Sequence, residues 1–178
     1  MAVKPRKSLR EVLSWAAYIF AGFILAVIIS HFVIVNAKVT SESMETTIMT
    51  NDRIIGMRLA YLFDPPKRLD IVIFTNPTNP AGDPYVKRII GLPDDKVEFR
   101  DNEIYINDSA YPLDEPYIAE PMVWADSVYE VPKGHYFMLG DNRNHSTDSR
   151  KLANPYIPRA DIIGKVYYAW FPSFRTLR

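Results

Sequence analysis

The sequence contains no cysteine, which excludes thiolate metal sites, cysteine nucleophiles and disulfide stapling together. That absence leaves the compartment open, because exported proteins need not carry disulfides. Glycine is scarce, 7 in 178 residues, and forms no phosphate-cradling loop. Net charge is missing too: 21 lysines and arginines balance 21 aspartates and glutamates, so no global field would draw in nucleic acid or an acidic membrane surface. The three histidines, His31, His135 and His145, are scattered without HExxH or comparable ligand spacing, so no metal and no cofactor are expected. A chain of 178 residues has room for one ordinary domain with an appended segment, not for a large multidomain machine.

What the chain does hold is proline (14) and aromatic side chains (13%), a balance that favours strands and turns over a helical bundle. Ahead of these stands one long apolar run, "WAAYIFAGFILAVIISHFVIV", residues 15–35, broken only by Ser30 and His31. Its length matches the roughly 20 residues a helix needs to cross the hydrocarbon. Lys4, Arg6, Lys7 and Arg10 precede it, whereas only Lys38 and Arg53 follow closely. That bias predicts a cytoplasmic basic stretch over 1–14, a membrane helix over 15–35 and an extracytoplasmic domain over 36–178. The competing reading is a secretory signal peptide ending at "VNA", 35–37, but an h-region has about 7–15 apolar residues, so the longer run favours a retained anchor in the plasma membrane.

From Lys38 onward, short β-rich runs alternate with turns. Strands are predicted at 53–59, 70–75, 85–91, 96–99, 103–106, 135–139 and 162–170, separated by "DPPKR", "NPTNPAGDP", "LPDDK" and "VPKG". No amphipathic helix is predicted after the anchor, so the expectation is an exported β domain of about 140 residues. The stretch 108–130 is the least regular and reads as an extended surface excursion.

For chemistry, a serine, histidine and acid triad would have to use His135 or His145. A serine with a lysine is the other candidate. Ser43, in "VTSESMETTIMTND", follows the span by a few residues and is open to two readings, a turn residue or a nucleophile near the outer membrane surface. Lys87 lies in "YVKRIIG", where alternation points Tyr85 and Lys87 one way and Val86 and Arg88 the other. One of the two cations is expected to face inward, although both could instead be charges guarding an edge strand. A free lysine is neutral in only about one molecule in a few thousand at pH 7; burial would have to lower its pKa by roughly 3 units to make a base.

"SESMETTI" (41–48), "KRLDIVIF" (67–74), "YVKRIIGLPDD" (85–95) and "GDNRNHSTDSR" (140–150), in that order after an amino-terminal span, resemble bacterial type I signal peptidases. These are membrane-bound Ser/Lys endopeptidases that remove signal peptides from exported proteins. The resemblance implies a mostly antiparallel β-sheet catalytic domain after one transmembrane helix, with an apolar surface near the bilayer. It implies Ser43 as nucleophile, Lys87 as general base, and Ser41 with the Ser43 N–H as oxyanion hole. Ser146 falls on the serine that orients the lysine, and Asp141, Arg143, Asp148 and Arg150 on residues that support the site, here read as an ion-pair network holding this segment against the lysine strand. Implied partners are exported preproteins bearing signal peptides, the lipid bilayer and the protein export machinery, and no nucleic acid.

Val39, Tyr85 and Val86 are the expected walls of the substrate pocket. The chain departs from the family pattern where Thr46 replaces a proline and where Asp94 and Leu69 replace glycines; Glu42 and Glu45 bracket Ser43 and are expected to be solvated. A catalytically silent relative that binds preprotein segments or assists export is the alternative. A Ser/Lys self-cleaving repressor shares the chemistry, but this chain has a span where a DNA-binding domain would stand.

Overall fold

The computed structural model describes residues 9–177. Lys4, Arg6 and Lys7 lie outside the described residues. Helix α1, Leu9–Ile28, continues as a π-helical turn over Ile29–Val33, and residues 10–32 are all exposed. The stretch Arg10–Val33, with mean hydropathy 2.4, is long and apolar enough to cross a membrane. The apolar run read as helix over 15–35 is therefore helical only to Val33, because Ile34 and Val35 already belong to the first strand. Composition alone hides this boundary: "IVNAKV" is as apolar at its start as the span, while the inward turn of Val35, Ala37 and Val39 is strand alternation.

The strands are β1 (Ile34–Lys38), β2 (Arg53–Met57), β3 (Ile71–Phe74), β4 (Tyr85–Gly91), β5 (Lys96–Arg100), β6 (Glu103–Ile106), β7 (Ser127–Glu130), β8 (His135–Leu139), β9 (Ile157–Pro158), β10 (Ile162–Phe171) and β11 (Arg175–Thr176). All pairings are antiparallel. The larger sheet runs β1-β2-β10-β3-β4-β8-β9, with β11 beside β10; a second sheet of three strands runs β6-β5-β7. The seven strands predicted from sequence are present. The short β9 and β11, β1 at the end of the span and β7 inside the irregular stretch were not foreseen.

The larger sheet is covered on both faces. On β3, Ile71 and Ile73 pack into a core with Met44, Ile48 and Ile54, while Val72 and Phe74 pack into another with Ile89, Met138 and Ile162. A third core joins the two sheets through Ile90, Val97, Phe99 and Phe137. Strand β4 lies between β3 and β8, not at an edge, and both Lys87 and Arg88 are buried. The expectation that only one cation faces inward is corrected: with both faces covered, alternation sends one cation into each side.

The excursion over 108–130 is irregular as expected but does not stay on the surface. It buries Met122, half-buries Leu113 and Trp124 against the third core, and ends in β7. Leu69 and Asp94 have φ of +70° and +67°, so both stand where the chain turns left-handed. For Leu69 that conformation costs about 1–2 kcal/mol. It is held by the Leu69 N–H donating to Ile89 O at 2.8 Å, and it presents the Leu69 carbonyl to Arg88 Nη1 at 2.9 Å.

Gly56 on β2 lies against the β10 backbone. A Cβ there would fall 2.7 Å from Lys165 O and 2.8 Å from Val35 Cγ1. Gly56→Ala is expected to force β1 and β10 off β2 and to lower stability by about 1–3 kcal/mol, read as a lower thermal midpoint.

Candidate active site

Residues 39–52 form a closed loop on top of the first core. Its ends are tied by Val39 N–H to Asp52 O at 2.8 Å and Asn51 N–H to Val39 O at 2.9 Å. Met44 and Ile48, four residues apart and joined by the Ile48 N–H to Met44 O bond at 2.8 Å, sink into the core and fix the turn that carries Ser43. Thr46 is exposed in this turn, whose shape therefore rests on the buried pair and not on a proline. Segment 140–150 clamps the loop from the other side, with Asn142 N–H donating to Ser43 O at 3.1 Å and Asn142 Nδ2 to Glu42 O at 3.2 Å.

Lys87 reaches across from β4. Its Nζ donates to Ser43 Oγ at 2.6 Å and to Val86 O at 3.1 Å, and lies 5.3 Å from the centre of the Tyr85 ring. Ser43 and Lys87 are only 6% and 4% exposed. Burial, opposed by the charges of Asp148 and Asp141, pushes the Lys87 amine down to about 8. Ser41 Oγ meets Ser43 Oγ at 3.2 Å. Glu42 is exposed, and Glu45 accepts from Thr50 Oγ1 at 2.8 Å, so the carboxylates acting on Lys87 are not the two that flank the serine in sequence.

The supporting residues are paired and buried. Asp141 accepts from Arg88 Nε at 2.8 Å and Nη2 at 2.7 Å, and also from Thr47 Oγ1. Asp148 accepts from Arg150 Nε at 2.9 Å and Nη2 at 2.8 Å, and from Gly140 N–H at 3.1 Å. Burial pushes the Asp148 carboxyl up, but Arg150, with help from the Gly140 N–H, holds it below its ordinary range. Arg143 donates from Nη1 to Glu115 at 2.9 Å and from Nε to Gly140 O at 3.1 Å. Ser146 Oγ is buried beside Asp148 in a geometry that falls outside that of a hydrogen bond, and it makes none to Lys87. Gly140 is required here, since a Cβ would collide with Ser146 Oγ and the Ser43 carbonyl.

In front of the pair opens a cleft of about 980 Å³ lined by Val39, Ser41, Tyr85 and Val86, with Val35, Ala37, Met44 and Ile163 adding apolar wall that sequence reasoning had not singled out. His145 and Thr147 border the same cleft. Sequence reasoning also missed Thr47, the role of Arg88 as partner of Asp141, and Glu115. The first two stand inside the recognised motifs next to Ser43 and Lys87, whereas Glu115 lies in an irregular stretch with no pattern to single it out.

The family model described as "Signal peptidase, peptidase S26" matches residues 12–171. The chain is 38% identical over 159 residues to signal peptidase I of Leptolyngbya laminosa, covering 85% of this chain and 76% of that one. It is 30% identical over 181 residues to signal peptidase IB of Staphylococcus aureus, covering 92% of this chain and 91% of that one. A crystal structure of a signal peptidase I from Enterococcus faecalis aligns at 36% identity over 57% of this chain and 97% of that chain, with a TM-score of 0.49.

A buried amine held near 8 instead of 10.5 costs the folded state roughly 3 kcal/mol at neutral pH, where the unfolded chain keeps its proton freely. Lys87→Met, similar in length and without charge, is expected to recover most of that at pH 7. The advantage should fade as pH rises from about 8 through 10.5, because the amine is then neutral in both states. Denaturant titrations of both proteins at pH 7 and near pH 10.5 measure the difference.

Proposed function

Since the chain belongs to the signal peptidase family, peptidase S26, we propose that it cuts signal peptides from preproteins with Ser43 as nucleophile and Lys87 as general base. The observation that carries this reading is the 2.6 Å contact between two side chains shielded from water. In the neutral form the amine nitrogen has a lone pair in place of one N–H, so the same contact reverses and Ser43 donates to it.

Attack then proceeds in balanced steps. Ser43 Oγ bonds to the scissile carbonyl carbon as its proton passes to Lys87 Nζ. The oxyanion is met by the Ser43 N–H and by the Ser41 hydroxyl, which rotates away from Ser43 Oγ. Lys87 returns the proton to the leaving amine as the peptide bond breaks, leaving an acyl ester on Ser43. A water then gives a proton to Lys87 as its oxygen attacks the ester carbon, and Lys87 passes that proton to Ser43 Oγ as the ester bond breaks, which frees the signal peptide with its new carboxyl group and restores both side chains. Ser146, a buried hydroxyl without a partner, turns to accept from the charged lysine and keeps it aimed. Asp141 holds segment 140–150 against β4 through Arg88, the Asp148–Arg150 pair braces the segment itself, and Arg143 ties it to Glu115; none of the four is bonded to Ser43 Oγ or Lys87 Nζ.

Val39, Tyr85 and Val86, with Val35, Ala37 and Ile163, form the apolar walls that select small side chains before the cut. The helix through Val33 anchors the enzyme in the plasma membrane with residues 1–14 cytoplasmic and the β domain outside, and the boundary falls where β1 begins. Tethering raises the effective concentration of a substrate held in the same bilayer, and the export machinery that delivers it is a further partner. The comparisons lend no support to a catalytically silent relative.

Ser43→Ala and Lys87→Arg are each expected to abolish processing of a preprotein by the detergent-solubilised protein while the fold persists, since arginine keeps the charge but cannot give up its proton. With an amine near 8, kcat/KM should climb about tenfold between pH 7 and pH 9 as the neutral form fills. Full turnover by Lys87→Arg would exclude the lysine as base.

A further inference from the structure

The irregular stretch before β7 does something that the proposed catalytic pair does not itself require. Glu115 accepts from both Nη1, at 2.9 Å, and Nη2 of Arg143. Tyr117 lays its ring 3.8 Å from Arg88 Cζ and donates its hydroxyl to Glu115 Oε1 at 2.6 Å. Trp124 puts its ring 4.7 Å from Arg150 Cζ, and Arg150 Nη1 is buried with no hydrogen-bond partner, so the π face is the compensation that cation meets there. Between these residues the stretch is pinned to segment 140–150 by Val123 N–H to Asn144 Oδ1 at 2.9 Å and by Asn144 Nδ2 to Glu120 Oε1 at 2.8 Å. Met122 anchors it in the core.

We propose that residues 115–124 are a positioning strap for the catalytic lysine: Glu115, Tyr117 and Trp124 each hold one buried arginine, and through Arg88 and Arg150 they fix the two carboxylates nearest the amine. The inference rests on Lys87 being the base. Arg88 is bidentate on Asp141 and Arg150 bidentate on Asp148; Arg150 Nη2 also donates to Arg143 O at 2.6 Å, and Tyr117, with its ring on Arg88 and its hydroxyl on Glu115, links Arg88 to Arg143, so the three cations form one connected unit. Asp148 and Asp141 are the charges that oppose burial at Lys87. The other groups facing the amine are Ser43, Ser41 and Tyr85; Glu42, Asp83, Lys38, Arg58 and His145 border the open cleft. Loosening an arginine exposes more of its carboxylate's charge to the amine and admits water beside it, and both changes favour the ammonium. The strap thus keeps the amine's proton easy to lose without touching substrate.

The test is the pH dependence of kcat/KM for full-length detergent-solubilised enzyme on a preprotein. Tyr117→Leu and Trp124→Leu fill the space without a π face; Tyr117→Phe and Trp124→Phe retain one. In the leucine variants the rising limb is expected to move to higher pH by about half to one unit, with activity recovering above it, while the phenylalanine variants keep the wild-type limb. A uniform fall at every pH with an unmoved limb in folded leucine variants would reduce the strap to scaffolding and overturn the proposal. If the leucine variants lose cooperative unfolding, the phenylalanine pair decides: a wild-type limb supports the role of the ring face, and a displaced limb refutes it. A wild-type enzyme with no rising limb at all would sink the lysine base itself, a different failure from that of the strap.

Discussion

A lysine amine whose pKa burial lowers to about 8, set 2.6 Å from a serine hydroxyl, makes strict demands on the rest of this molecule. Burying the side chain is the simpler half. The central strand β4 has sheet on both sides, so Lys87 projects from a rigid ladder beneath a loop pinned by Met44 and Ile48. Ser43 and Lys87 are 44 residues apart in the chain, and only the fixed attachment of loop and strand to one core keeps their two atoms at 2.6 Å. In the proposed mechanism a 1 Å slip at such a contact would cost about a hundredfold in rate, and the tied ends and packed middle of the loop resist it.

The harder half is charge. Segment 140–150 must approach closely enough to grip Ser43 O, and it brings Asp141 and Asp148 with it. Left alone, those carboxylates would hold the proton on Lys87. Each is instead matched by a bidentate arginine, and those two arginines in turn meet aromatic faces from the stretch before β7. Buried ion pairs are weak contributors to stability but strong determinants of geometry. The left-handed Leu69 belongs to the same arrangement, since its strained turn supplies a carbonyl to Arg88.

Much of this was legible in the sequence, and the illegible part has physical causes. Strand runs such as "IVIF" and "YVKRIIG" declare themselves because buried strands are apolar and turns are not. The candidate pair Ser43 and Lys87 could be picked out by elimination of other chemistries and by the resemblance of four ordered motifs. Strand β1 could not, because its apolar residues merge with those of the span. Reading Lys87 and Arg88 as alternatives failed because alternation tells which residues share a face, not whether both faces are covered. Glu115, Tyr117 and Trp124 sit in a stretch without periodicity, where a side chain's partner depends on the path of the chain and not on its neighbours in sequence.

Titrating the lysine itself tests the account most directly. With lysine side chains labelled at 13Cε, the Lys87 resonance of the micelle-solubilised protein, assigned by its loss in Lys87→Arg, is expected to titrate with a midpoint near pH 8. A midpoint at about 10.4, the ordinary value for a solvated lysine, would contradict a neutral amine at Ser43 and with it the arrangement of charges described above.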